Sequence, residues 1–460
     1  MRINKILRAK ACNDLNKDGL IDFLLCRLIK RRRTRRLKEN GGRNRRFRQR
    51  CSWMTFKDKL TDRQFTRYFR MSKKCFGSLV KIIEENVGPD EFKKESHLME
   101  SHKCDTHTAH YSSTGPLISG EVKLALTLRM LAGGSYMDLS LLFDVGFSTA
   151  YNIFHMVVNK WINNPNLVKI NGTDYCEDTG RMQAVALDFA KASNGVMNGC
   201  IGALDGWLVK IIKPRKKDGV RNPSSFYSRK GFYAINVQVI VDYKKKVLYR
   251  NIMHRGAEHD STAFKNSKLH VWLLSNWSRL ASLGLYFIGD SAYALKSFLI
   301  TPYDNALHAT TKDDFNFFHS SSRIKVECAF GEIDKRWGIL WRPLQFSLKH
   351  NVGVIDACMR LHNFIVDFRE VEGSCDKQKE DEIFDEEIRR FLSINPSVSS
   401  GVNNAGDEAS TRTGGRPSSS EKASNMNGKQ QRDILRDNIA NRKLKRPRAN
   451  WWRENNRVGD

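Results

Sequence analysis

The sequence predicts a mixed α/β domain behind an all-helical N-terminal region. Three observations lead there. Apolar residues recur at three- and four-residue steps through residues 53–87 and 121–162, the period of helices with one buried face. Beyond Cys200 the grammar changes to short runs rich in β-branched residues, the clearest being residues 233–242 (YAINVQVIVD). Strand-like and helix-like stretches then interleave up to residue 368, the layout of a mixed sheet flanked by helices.

Residues 1–50 have little periodicity and read as an arm. A helical stripe follows, built from Phe65, Phe69, Phe76, Leu79, Val80, Ile82 and Ile83. After a polar, His-rich loop at 89–120, residues 121–162 read as three helices joined by short turns. Leu124, Leu128 and Leu131 stripe the first, and Gly133-Gly134 end it. Residues 136–143 form the second, and Ser148 caps a third that carries Tyr151, Ile153, Phe154 and Val157. This is a helix-turn-helix-like layout, whose last helix enters the major groove in DNA-binding examples. Its third helix offers no Lys or Arg before Lys160, which is therefore its candidate DNA contact. Residues 51–165 are accordingly expected to form an N-terminal helical domain.

A second domain is expected over residues 198–368. An apolar run at 199–204 ends at Asp205-Gly206, and 208–212 is a second strand-like run. Residues 233–242 and 247–253 make a hairpin across the turn 243–246. A helix at 261–277 precedes a short buried strand at 285–289, which ends at Asp290. Helices at 321–337 and 352–368 complete the domain. Residues 369–427 read as an acidic segment and a disordered Ser/Gly/Asn-rich linker, and residues 428–460 as a basic tail.

Charge narrows the function. The chain has 460 residues, with 78 Lys and Arg against 50 Asp and Glu, a net of +28. Residues 1–50 hold a net +14 and residues 428–457 a net +7, so two basic ends flank a near-neutral middle. Such arms grip phosphates or carry nuclear import signals, and an acidic, solvating chain is excluded. The run Lys30, Arg31, Arg32, Arg33, Arg35 and Arg36 suits either role and makes the nucleus the expected location. Ten cysteines with no C-x-x-C pair do not form a disulfide scaffold, and reduced intracellular thiols fit better. No uninterrupted apolar run approaches the length of a membrane span, so no membrane partner is expected.

Three acids carry the candidate chemistry. Asp205 and Asp290 each follow an apolar strand, where a parallel-type sheet opens into its ligand crevice. Glu327 lies in a helix whose buried stripe is Val326, Phe330, Ile333 and Trp337, so it borders the core and can lean over the strand ends. Three convergent carboxylates form an all-oxygen site that suits Mg²⁺ or Mn²⁺. Two such ions, about 3.5–4 Å apart, would activate a water or 3′-hydroxyl and stabilise the leaving oxygen of a phosphodiester. The bland alternative is an ordinary helix pair between Arg323 and Glu327 and two ordinary turns.

Five blocks in order carry a resemblance: residues 202–211 (GALDGWLVKI), 256–264 (GAEHDSTAF), 287–303 (FIGDSAYALKSFLITPY), 323–340 (RIKVECAFGEIDKRWGIL) and 361–367 (LHNFIVD). Together they resemble the PIF/Harbinger DDE transposases and their domesticated nuclease relatives, over roughly residues 121–368. The resemblance implies an RNase H-like fold, a D, D and E at Asp205, Asp290 and Glu327, and a supporting role for His259 and Asp260. It also implies a separate Myb/SANT-like DNA-binding partner. One departure stands out: many members have Thr or Ser and then His soon after the first Asp-Gly, where this chain has Trp207-Leu208.

Two other clusters do not reach a site. Asp14, Asn16, Asp18 and Asp22 imitate the start of a Ca²⁺ loop, but its twelfth position is Leu25, where an acid is required. His102, Cys104, His107 and His110 lack a second Cys/His pair at a finger-like distance. The expectation is thus a metal-dependent DNA nuclease or transposase, with DNA as partner and self-association left open. The alternative is a domesticated, non-cleaving DNA-binding or chromatin protein on the same fold.

Overall fold

The computed structural model describes residues 53–88, 92, 118–143, 145–372 and 419–446. The basic arm with Lys30, Arg31, Arg32, Arg33, Arg35 and Arg36, the Ca²⁺-like loop and the His102–His110 cluster lie outside the described residues.

The N-terminal part begins with α1 (Trp53–Lys59), α2 (Asp62–Phe69) and α3 (Lys73–Val87). One helical pattern thus yields three helices. Thr61 and Gln64 form a reciprocal capping box at the start of α2, and the Ser72 hydroxyl caps α3. Phe69 and Phe76 meet the half-buried Trp53, and Phe65 packs on both phenylalanines, in one aromatic cluster. Next come α4 (Gly120–Leu131), α5 (Tyr136–Leu142) and α6 (Phe147–Met156), the last continued by a π turn at Val157–Ile162. These three fall where the sequence places its helix-turn-helix-like segment. α4 is almost wholly core, whereas Lys160 is exposed on the π turn. The short helices α7 (Gly172–Glu177) and α8 (Thr179–Ala192), which sequence reading did not anticipate, lead to the sheet.

Among the described residues the sheet has five strands: β1 (Cys200–Lys210), β2 (Ala234–Val241), β3 (Val247–Arg255), β4 (Tyr286–Ile288) and β5 (Leu299–Ile300). Their spatial order is β3-β2-β1-β4-β5. β1 to β3 form an antiparallel meander, and β4 and β5 add in parallel beyond β1. The mixed five-stranded sheet between helices agrees with an RNase H-like domain.

The two runs expected at 199–204 and 208–212 are in fact one strand. Asp205-Gly206 reads as a turn dipeptide, yet Asp205 pairs with Val239 and Gly206 with Gln238 in an unbroken antiparallel ladder. Likewise the helix expected at 261–277 divides into α9 (Asp260–Lys265) and α10 (Lys268–Ser282), because Ser267 caps the second. α11 (Thr311–Arg336) starts ten residues before the expected 321, and α12 (Leu348–Glu372) likewise overruns its expected span.

Both sheet edges are covered. At β3, the Asn363 side chain of α12 accepts from the Val247 N–H (2.8 Å) and donates to its carbonyl (2.7 Å). Beyond β5 lies α13 (Ser419–Asn441), so the expected disordered linker does not extend through residues 419–427. The helix is polar, but Leu435 and Ile439 are buried and the Ser297 N–H donates to the Ser424 carbonyl (2.9 Å). Arg336 donates to the Arg70 carbonyl (2.7 Å) and Phe154 packs on Phe346, so helical and α/β parts share one apolar core. No single helix among the described residues is long and apolar enough to cross a membrane.

Candidate active site

β1 delivers the first acid. Its parallel register against β4 sets Ala203 beside Ile288. Two residues beyond that pair on each segment, Asp205 and Asp290 come close enough for their charges to act on each other. Asp205 sits inside β1, and Asp290 just past the end of β4, where its carboxylate accepts from the Ala292 N–H (3.1 Å). The Asp205 side chain is only 16% exposed. Burial, then the charge of Asp290, pushes its carboxyl up to about 7, although Arg323 pulls the other way. Burial raises Asp290 too, opposed by Arg323 and reinforced by Asp260.

α11 brings Glu327 and Arg323 over β1. The Arg323 guanidinium donates to Asp205 Oδ2 (3.0 Å) with Nη1 and pairs with Glu327 Oε1 (2.6 Å) through Nη2. Asp205 and Glu327 are therefore joined through a cation, with Glu327 at the rim and 42% exposed. The i,i+4 pair foreseen in the sequence is real, but it reaches further than a helix pair. What seats the helix is a stack of Trp207 on Phe330, with centroids 5.3 Å apart and planes within 12°. Trp207, the aromatic directly after Asp205-Gly206, thus fastens α11 to β1, meeting it three residues beyond Glu327.

Asp260 supplies a further carboxylate. It does not cap α9, since His259 holds the N-cap position without a side-chain bond. Instead Asp260 Oδ1 accepts from Asn236 Nδ2 (2.8 Å) and Gln238 Nε2 (3.0 Å), both buried on β2. The Gln238 carbonyl in turn accepts from the Tyr293 hydroxyl (2.7 Å), just beyond Asp290. A Cβ at Gly206 would lie 2.1 Å from Asp260 Oδ1, so the glycine after Asp205 leaves the space in which Asp260 sits. His259 is exposed at the same corner.

Sequence reasoning named the acids but missed the scaffold of Asn236, Gln238 and Tyr293, and the reach of Arg323 to Asp205. A signal was present. Two amides spaced by two residues sit on one face of an otherwise apolar, fully buried strand, where an amide needs a partner.

The donor set is all oxygen and suits a hard divalent cation. Two half-buried aspartates that repel each other, with a third acid clamped close by, form a pocket of negative charge that such an ion relieves. As they stand, no three His, Cys, Asp or Glu side chains among the described residues converge tightly enough to hold an ion. Arg323 supplies the positive charge between Asp205 and Glu327.

Residues 204–363 match the family model described as DDE superfamily endonuclease, and the match spans all three acids and the His259-Asp260 pair. Over these residues the chain is similar to a DDE superfamily endonuclease domain, and its relatives point to the Harbinger type. Its relatives include "Protein ALP1-like" of Arabidopsis thaliana, 23% identical over 66% of this chain and 71% of that protein. "Putative nuclease HARBI1" is 24% identical in Bos taurus and 26% in Rattus norvegicus, over 36% of this chain in each case. The chain spans 45% and 46%, less than half, of those two mammalian relatives. No solved structure matches it. DDE superfamily endonucleases use divalent metal ions, which agrees with the donor set.

Proposed function

We propose that this chain is a nuclear DNA nuclease of the DDE type, working with Mg²⁺ or Mn²⁺. It would hydrolyse phosphodiesters at transposon ends and join freed 3′-hydroxyls to target DNA. The observation that carries the reading is Asp205 on β1 beside Asp290, just past the end of the adjacent parallel strand β4, with a helix bearing Glu327 joined to Asp205 through Arg323. Bound divalent ions there supply nucleophile activation and stabilisation of the leaving oxygen. Asp205 and Asp290 are the residues that would hold them, and Glu327 at the rim would complete the set. Asp260, fixed by Asn236 and Gln238, keeps the pocket negative without moving. Arg323 balances Asp205 and Glu327 and lies where an incoming phosphate needs a cation. The Lys30–Arg36 run and Lys160 extend the same reading to DNA contacts away from the chemistry, and a Myb/SANT-like protein to a separate end-recognition subunit.

The test is Asp290→Asn, which keeps shape and removes one charge. Nicking of supercoiled plasmid in Mg²⁺ should fall by orders of magnitude while DNA binding in Ca²⁺ persists. Cutting at the parental rate would remove Asp290 from the chemistry.

A further inference from the structure

The segment between β1 and β2 is the most one-sidedly charged stretch among the described residues. Residues 210–230 contain eight Lys or Arg and one acid, Asp218. Lys213, Lys216, Lys217, Arg221 and Lys230 are all exposed, and among the described residues none of them forms an ion pair. Charge density alone would not distinguish this loop, because the β2–β3 turn also holds three lysines in a row. There, however, Lys244 pairs with Glu370 (3.0 Å), Lys245 with Glu332 and Lys246 with Asp367. Those cations are neutralised within the fold, and the ones between β1 and β2 are left for something else.

Their placement is fixed, not random. The Asp218 carboxylate accepts from the Arg215 N–H (2.8 Å), and Gly219 closes the turn in the left-handed region at φ 73°. At its far end the loop returns to the acids. The Ala257 N–H donates to the Ser225 carbonyl (3.1 Å), which holds the loop against the segment that delivers Asp260. Arg229 then stands 3.9 Å from Asp260 Oδ2 while 62% exposed. The cations therefore sit on a loop that leaves the sheet at the end of β1, five residues beyond Asp205, and returns with Arg229 beside Asp260. Five residues of strand span roughly 16 Å.

We infer that residues 213–230 are the surface that seats the nucleic-acid backbone beside the cut, with Arg229 positioning the phosphate nearest the acids. The inference rests on the nuclease reading for which bond is cut, but the surface can be tested apart from it. An unpaired cation array gains by releasing condensed counterions from DNA, and each phosphate contact adds about 0.9 to the slope of log affinity against log salt. A neutral or apolar partner would gain nothing from it.

The experiment compares the full chain with a Lys216→Gln/Lys217→Gln/Arg221→Gln variant, measuring duplex binding in Ca²⁺ across a salt series. The variant should lose about 2–3 from the salt slope and at least about tenfold in affinity at low salt, with the parental Tm. Should the triple variant unfold, Lys213→Gln with Lys230→Gln reads the other side of the loop and should lower the slope by about 2. An unchanged slope in a folded variant overturns the inference. So does polyglutamate of equal charge competing as well as DNA, since the surface would then serve an acidic protein. Binding is read without cleavage, so a parent that never cuts would sink the nuclease reading and leave this one standing.

Discussion

Asp205 carries a charge that the fold makes costly to keep. Its folded carboxyl lies near 7, against about 3.8 for an ordinary aspartate, because burial and Asp290 both disfavour ionisation. A raised folded value means that the protonated group favours folding. That contribution is complete below the unfolded value and fades as pH rises through about 7. Asp205→Asn should therefore raise Tm in metal-free protein at pH 8, with a gain that shrinks toward pH 4, while cutting is lost. Thermal melts across that range check it, and a variant less stable than the parent at pH 8 would contradict the assignment. The acids were legible in the sequence because each ends an apolar run or borders an apolar stripe. Arg323 was legible only as a neighbour of Glu327. Its bond to Asp205 spans 118 residues, and no local pattern encodes a contact set by how a helix lies across a strand.

At the scale of elements, local chemistry and tertiary pairing sometimes disagree. Asp-Gly ordinarily turns the chain, but here β2 offers a full ladder of partners on one side and β4 lies on the other, so the pair stays extended. The tail helix α13 was hidden for a different reason. Its composition is that of a linker, and its docking relies on a few buried contacts and on close backbone approach. Arg432 lies 4.0 Å over the Tyr303 ring and donates to the Pro302 carbonyl (2.9 Å). At Gly428 a Cβ would lie 2.5 Å from the Lys296 backbone, tighter than any side chain can accept. Gly428→Leu should therefore push α13 off the sheet edge. Helix propensity returns less than 1 kcal/mol, whereas forced overpacking costs about 1–3 kcal/mol and more against rigid backbone. Limited proteolysis should cut within residues 419–446 sooner than in the parent, with Tm lowered by several degrees. Parental resistance and Tm would show that α13 contributes nothing to the domain.

Across the whole molecule, charge is arranged in opposition. Carboxylates are gathered on one pocket formed by β1, β4, α9 and α11, whereas exposed cations fill the segment between β1 and β2, with Arg229 beside Asp260, and the sequence ends are basic. The sheet order, the order of the acids along the chain and the family match over residues 204–363 agree on one centre. That the helical part would share a core with this domain was not readable, because periodicity marks a buried face but not what buries it. The central claim is that this pocket cuts DNA, and Glu327 tests it most directly, since an innocent explanation already exists in its pair with Arg323. Glu327→Gln in the purified full chain, assayed for plasmid nicking in Mg²⁺ and duplex binding in Ca²⁺, separates the two. The active-site account predicts nicking reduced by about a hundredfold or more, with binding level or slightly tighter because one repelling charge is gone. A variant that nicks as fast as its parent, having lost only a few tenths of a kcal/mol in stability, would leave Glu327 as an ordinary helix partner and contradict the account.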